Sequence, residues 1–276
     1  MRYALIMALL AGLALPAAPA EASARIRYVA LGDSSAAGPL IPDQIDTTCL
    51  RSDRNWPHVL AGRLGASLTD VTCSGATTAD LTGRQAGIVA PQFDALRRDT
   101  DLVTLAIAAN DIALSSAFVT CASPDGPVVP SCRDQYTTGG VDRFGARIAA
   151  TAPKVAAALA EIHRRSPAAR VVVTGYLTYW PPGGCYPGDP YTAADAGYIQ
   201  ATFDRLMVML ADQAARGRAS YVDIRGPSAR HGLCAAPAMR WLEGAAPASP
   251  AYPYHPNAAG MAAAAAIIAG VARNRI

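Results

Sequence analysis

Short runs of consecutive apolar residues alternate along the chain with longer stretches in which apolar positions recur every three or four residues. Runs of the first kind occupy 27–31, 101–107 and 170–174. Their continuity predicts strands covered on both faces, as in a parallel sheet, because a half-exposed strand would alternate apolar with polar. Stretches of the second kind occupy 56–64, 141–165, 193–216 and 256–272 and predict amphipathic helices. Two further strands are expected at 67–72 and 219–224. This alternation is the signature of a three-layer α/β sandwich around a parallel sheet, here of five strands. The stretches 120–140 and 176–191 fit neither pattern and read as long loops, which in a compact domain are usually functional or clamped.

Composition agrees with a folded domain. The 276 residues are 51% hydrophobic and 16% charged, which excludes a disordered or collagen-like chain. No Gly/Ser-rich or charge-rich linker divides them, so one domain is expected over 25–276. The formal charge is +3, from 24 basic and 21 acidic residues, and no Lys/Arg run could track a phosphate backbone. No nucleic-acid partner is expected, and the reading is of a monomer.

The N terminus carries an address. Arg2 is followed by an apolar stretch at 5–15 and then by small residues to position 24, with Ala18-Pro19-Ala20 and Ala22-Ser23-Ala24 as cleavage sites. This reads as a secretory signal over 1–24. The apolar core has 11 residues, against about 20 needed to span a bilayer. The expectation is an extracellular protein with no stable membrane insertion after cleavage. All six cysteines lie beyond this segment, an even number in an oxidising compartment, which favours disulfides. No Cys-x-x-Cys or His-x-x-x-His spacing offers a zinc set, and no cofactor is expected. Six cysteines allow 15 pairings, of which sequential pairing is the simplest.

In a parallel α/β sheet, ligands bind beyond the carboxyl ends of the strands, so the residues there carry the candidate chemistry. The first strand is followed by Gly32-Asp33-Ser34, the second by Gly75 and the third by Asn110-Asp111, while His255 precedes the last helix. If the sheet has the flavodoxin-like order 2-1-3-4-5, Ser34, Gly75 and Asn110 meet at one edge. A serine that attacks a carbonyl needs a base, and His255 is the histidine placed for it. The oxyanion that forms needs fixed donors, which the amides of Ser34 and Gly75 and the Asn110 carboxamide can supply. Each residue alone also has an ordinary reading as a turn or a helix cap. His58, His163 and His231 read as structural.

Taken together and in this order, the four residues resemble the SGNH (GDSL) hydrolase family. Its blocks are similar to Gly32-Asp33-Ser34, Gly75, Asn110-Asp111 and His255-Pro256-Asn257 with Gly260. The resemblance runs from Arg27 to the C-terminal helix and is closest to the secreted bacterial lipases and esterases. It implies the flavodoxin-like sheet and an acyl-enzyme with Ser34 as nucleophile and His255 as base. It also implies sequential disulfides, Cys49–Cys73, Cys121–Cys132 and Cys185–Cys234. Ala108 stands where the family has a glycine, and is expected to tighten that turn without removing the Asn110 donor. Tyr252 stands where the family has the aspartate that orients the histidine. Some secreted members use a backbone carbonyl instead, so the Tyr252 carbonyl is the expected acceptor, with Asp223 as an alternative acid from the fifth strand. The aromatic residues Tyr176, Tyr179, Trp180 and Tyr186 either line an acyl pocket or pack a clamped loop.

The leading function is hydrolysis of small-molecule or lipid carboxylic esters. A polysaccharide deacetylase or an acyltransferase would use the same residues. A catalytically silent secreted binding module would keep the scaffold, but the presence of all four residues argues against silence.

Overall fold

The computed structural model describes residues 25–127 and 129–273; the expected leader, 1–24, lies outside them. Strands β1 (Arg27–Gly32), β4 (Ser67–Asp70), β5 (Leu102–Ala106), β6 (Arg170–Thr174) and β7 (Ser220–Val222) form one sheet in the order β4-β1-β5-β6-β7, with every pairing parallel. Counted within the sheet alone, this is the expected 2-1-3-4-5. A small antiparallel ribbon, β2 (Gln44–Asp46) with β3 (Arg51–Ser52), stands apart from it.

Burial explains why some strands were easier to read than others. The three central strands are covered on both faces, with Tyr28 to Leu31, Leu102, Val103, Leu105 and Val171 to Val173 buried. At the edge, β4 alternates between exposed and half-buried positions and ends at Asp70, two residues short of the expected 72. The other edge strand, β7, keeps only three residues of the expected 219–224. An edge strand has a partner on one side only, and its apolar signal is correspondingly weak.

Helices α2 (Trp56–Leu64) and α8 (Ala258–Ala272) pack on each other, as do α5 (Arg143–Arg165) and α6 (Ala193–Arg216). The two pairs flank the sheet. Capping side chains set the starts of α5 and α8. Asp142 accepts from the Gly145 amide and Asn257 from the Gly260 amide, so these helices begin two residues later than the apolar pattern suggests. Four short helices were not anticipated: α1 (Ser34–Ala37), α3 (Ser115–Thr120), α4 (Cys132–Tyr136) and α7 (Arg225–Ser228). Of the two long loops, 120–140 therefore contains a helical turn, whereas 176–191 has neither helix nor strand. Among the described residues no helix is long and apolar enough to cross a membrane.

All six cysteines are paired, Cys49 with Cys73, Cys121 with Cys132 and Cys185 with Cys234. The first ties the ribbon to the segment after β4, and the third clamps the loop after β6.

Candidate active site

The site is built outward from the end of β1. A Cβ at Gly32 would lie 2.5 Å from the Ala106 carbonyl oxygen, so only glycine lets β1 finish this close to β5. The buried Gln92 carboxamide brackets that glycine, accepting from its N–H at 2.8 Å and donating to its carbonyl at 2.9 Å. Asp33 then caps α1, its Oδ1 accepting from the Ser35 amide at 2.9 Å and the Ser35 hydroxyl at 2.7 Å. The turn presents Ser34 to a cavity of about 340 Å³, and the Ser34 amide has no hydrogen-bond partner among the described residues.

Across the cavity, His255 Nε2 lies 2.8 Å from Ser34 Oγ. Its Nδ1 lies 2.8 Å from the carbonyl oxygen of Pro253. A carbonyl only accepts, so Nδ1 carries the proton, and Nε2 is left as the acceptor facing the serine hydroxyl. Burial holds the imidazole below its ordinary value of 6.5, against a smaller upward pull from the Pro253 carbonyl. The ring is thus neutral at pH 7, the state a base requires.

The orienting carbonyl corrects the expectation for Tyr252. The Tyr252 carbonyl instead accepts the His255 backbone N–H at 3.1 Å and closes a turn. Within that turn Tyr254 takes a positive φ of 61°, which aims the intervening Pro253 carbonyl at the imidazole. The Tyr252 side chain is half-exposed and meets the imidazole edge to face at 5.3 Å. Asp223 is engaged elsewhere, accepting from the Arg225 amide at 2.8 Å.

The segment carrying His255 is braced from behind by a residue the sequence did not single out. Glu243 is fully buried, and its main chain pairs with the His255 carbonyl and the Tyr254 amide. Its carboxylate accepts from Asn257 Nδ2 at 2.7 Å and the Ala248 amide at 2.8 Å.

Asn110 lies in the same cavity as Ser34 and His255. One N–H of its carboxamide donates to the Ala76 carbonyl at 2.9 Å, which orients the group and leaves the second N–H available. Asp111 fastens this loop to the one after β4, accepting from the Thr78 amide at 2.9 Å and from the Thr78 hydroxyl. Ala108 has a φ of 105°, a conformation that favours glycine, and the turn still delivers Asn110.

Gly75 does not line the cavity. It sits exposed in the turn between Cys73, whose amide donates to the Gly32 carbonyl at 3.0 Å, and Ala76, which receives Asn110. Its φ of 82° again suits glycine, and its amide has no partner among the described residues.

Away from Asp33, Ser35 and Ser115, the rest of the cavity wall is mainly aromatic and aliphatic. Phe118 of α3 stacks on Tyr254 at 4.6 Å, and Phe203 of α6 stacks on Tyr179 at 4.3 Å. Tyr176 and Tyr179 line the cavity, whereas Trp180 is buried away from it with Nε1 donating to Asp189, and Tyr186 is exposed. The cluster is thus divided between the cavity wall and the packing of the clamped loop. The remaining histidines are engaged elsewhere, His58 with Asn55, His163 with the Gly217 carbonyl and His231 with the Met239 carbonyl.

A sequence profile of the GDSL-like lipase/acylhydrolase family matches residues 30–263. The chain belongs to this family. As a GDSL-type hydrolase it is a carboxylic ester hydrolase by class. It is 41% identical to Lipase 2 of Streptomyces coelicolor over 236 residues, covering 82% of this chain and 79% of that protein. Among solved structures, it is similar to phospholipase A1 from Streptomyces albidoflavus, with a TM-score of 0.73, 25% identity and coverage of 90% of this chain and 99% of that one. It is also similar to the extracellular lipase of Streptomyces rimosus, with a TM-score of 0.68, 27% identity and coverage of 88% and 98%.

Proposed function

We propose that this GDSL hydrolase is a secreted, cofactor-independent esterase or lipase that cleaves carboxylic esters through an acyl-enzyme on Ser34. The observation that carries the reading is the relay from Ser34 Oγ to His255 Nε2, with the imidazole fixed through Nδ1 by the Pro253 carbonyl. As Ser34 Oγ attacks the ester carbonyl, Nε2 takes its proton and then returns it to the departing alcohol. Water repeats the sequence to release the acid. The Ser34 amide and the free N–H of Asn110, which line the cavity, would receive the oxyanion, a role whose loss typically costs about 10²–10³ in rate per donor.

An acyl chain is the group that suits the aromatic cavity. Its wall at Leu114, Phe118, Val119 and Phe203 offers no charge to a sugar or a polar headgroup. The lipase and phospholipase relatives support a lipidic ester, and three disulfides and the extracellular relative support export by the 1–24 leader.

A panel of p-nitrophenyl esters from acetyl to palmitoyl, run on the wild type and on Ser34→Ala, tests the proposal. The wild type should prefer chains longer than acetyl, and Ser34→Ala should lose every substrate. An enzyme confined to acetyl esters would favour the deacetylase alternative, and residual turnover by Ser34→Ala would remove the serine mechanism.

A further inference from the structure

We infer that Tyr176 is a positioning residue that locks the Ser34 turn to the Asn110 loop through Asp33. The inference rests on the proposed roles of Ser34 and Asn110 and adds a link between them. The Tyr176 hydroxyl stands between two partners, the Ala109 amide at 2.9 Å and Asp33 Oδ2 at 2.7 Å. An amide only donates, so the phenol oxygen accepts from Ala109 and its own proton goes to the carboxylate. The other Asp33 oxygen holds the Ser35 amide and hydroxyl. Asp33 precedes Ser34 and Ala109 precedes Asn110, so each end of this chain of hydrogen bonds is one residue from a group that acts on the ester.

The arrangement exceeds what capping a single helical turn needs. An asparagine or serine at position 33 would satisfy the Ser35 amide without placing a carboxylate in the interior. Asp33 and Tyr176 are 1% and 5% exposed, so their partners cannot be replaced freely by water. A buried carboxylate is tolerated when donors surround it, and here one of those donors comes from the loop after β6. The groups facing Asp33 are Ser35 from α1, Tyr176 and Tyr179 from the loop after β6, and Asp111 from the loop after β5. Burial pushes Asp33 up to about 6, Asp111 adds to the rise, and Ser35 and Tyr176 oppose it. Above that value the ionised carboxylate accepts all three hydrogen bonds. Below it, protonation removes acceptor capacity and loosens the link.

Tyr176→Phe keeps the ring against Phe203 and deletes only the hydroxyl. The expected result is a kcat about 10- to 100-fold lower with KM within about twofold, because the aligned groups act on the transition state rather than the bound ester. The acid limb of the kcat profile should move to higher pH, since Asp33 loses a donor that favours its ionised form. Asp33→Asn should remove the Asp33 contribution and leave an acid limb set by His255 alone, and the double variant should be no slower than the slower single variant, as expected of residues that act together. This second variant carries the test if Tyr176→Phe fails to fold. A folded Tyr176→Phe enzyme with wild-type kcat and acid limb would overturn the inference, as would Asp33→Asn with an unmoved limb. In either case Ser34→Ala should be inactive; an active Ser34→Ala enzyme would instead undo the underlying assignment of the nucleophile.

Discussion

His255 Nδ1 lies 2.8 Å from the main-chain oxygen of Pro253, so a peptide carbonyl holds the imidazole where a carboxylate is commonly found. A carbonyl fixes tautomer and orientation, as a carboxylate does, but offers less charge to stabilise the imidazolium formed during the reaction. The family's usual acid position is filled by a tyrosine whose side chain takes no part in this bond.

Substitutions that spare the main chain should therefore be mild. Tyr252→Phe and Tyr252→Ala should retain most activity, and Asp223→Asn should cost about tenfold or less, against about 10⁴ for loss of an aspartate that orients a catalytic histidine. His255→Ala should lower kcat severely. Steady-state kinetics on the four variants decide the point. A collapse at Asp223 with the fold intact would mean that a carboxylate replaces the Pro253 carbonyl during turnover.

The pH dependence follows from the burial of the base. A base must be neutral to accept the Ser34 proton, and burial lowers the His255 pKa below 6.5. Activity should therefore be complete at pH 7 and fall only on acidification, with the acid limb of kcat/KM centred below 6.5. A limb centred above 6.5 would mean that a partner stabilises the imidazolium in the free enzyme.

Much of this was legible in the sequence, for physical reasons. Burial on both faces wrote the central strands as unbroken apolar runs. Ser34, Asn110 and His255 stood out because each occurs where a strand ends or the last helix begins. The role of Pro253 was not legible, because it depends on a left-handed turn at Tyr254, a residue type that does not signal one. Asp33 read as a cap, which it is, but its second oxygen bonds a tyrosine 143 positions away, beyond the reach of any local pattern. Glu243 gave no signal because its importance lies wholly in what buries it.

The proposed mechanism gives Asn110 two duties that kinetics and stability can separate. Asn110→Ala should lower kcat by about 10²–10³ through loss of an oxyanion donor. It should also cost about 1 kcal/mol of stability through loss of the bond to Ala76. Kinetics beside a thermal melt check both effects. A lower melting temperature with unchanged kcat would make Asn110 a brace alone.

The disulfides should differ in the same way. Cys49–Cys73 spans 24 residues, for which loop closure gives about 3.5 kcal/mol. Cys185–Cys234 spans 49, giving about 4 kcal/mol. Replacing either pair by alanine should lower the melting temperature. The first should cost more activity, because the Cys73 amide bonds the Gly32 carbonyl beside the Ser34 turn. Equal activity losses from the two pairs would mean that the first bridge has no special part in placing the Ser34 turn.

The central claim is that Ser34 is a nucleophile activated by His255, and covalent trapping tests it most directly. The folded protein should be treated with a fluorophosphonate and its intact mass and peptide map recorded. The account predicts a single adduct, on the Ser34 peptide, that is absent from Ser34→Ala and forms far more slowly in His255→Ala. An unmodified protein, or an adduct on another residue, would contradict it.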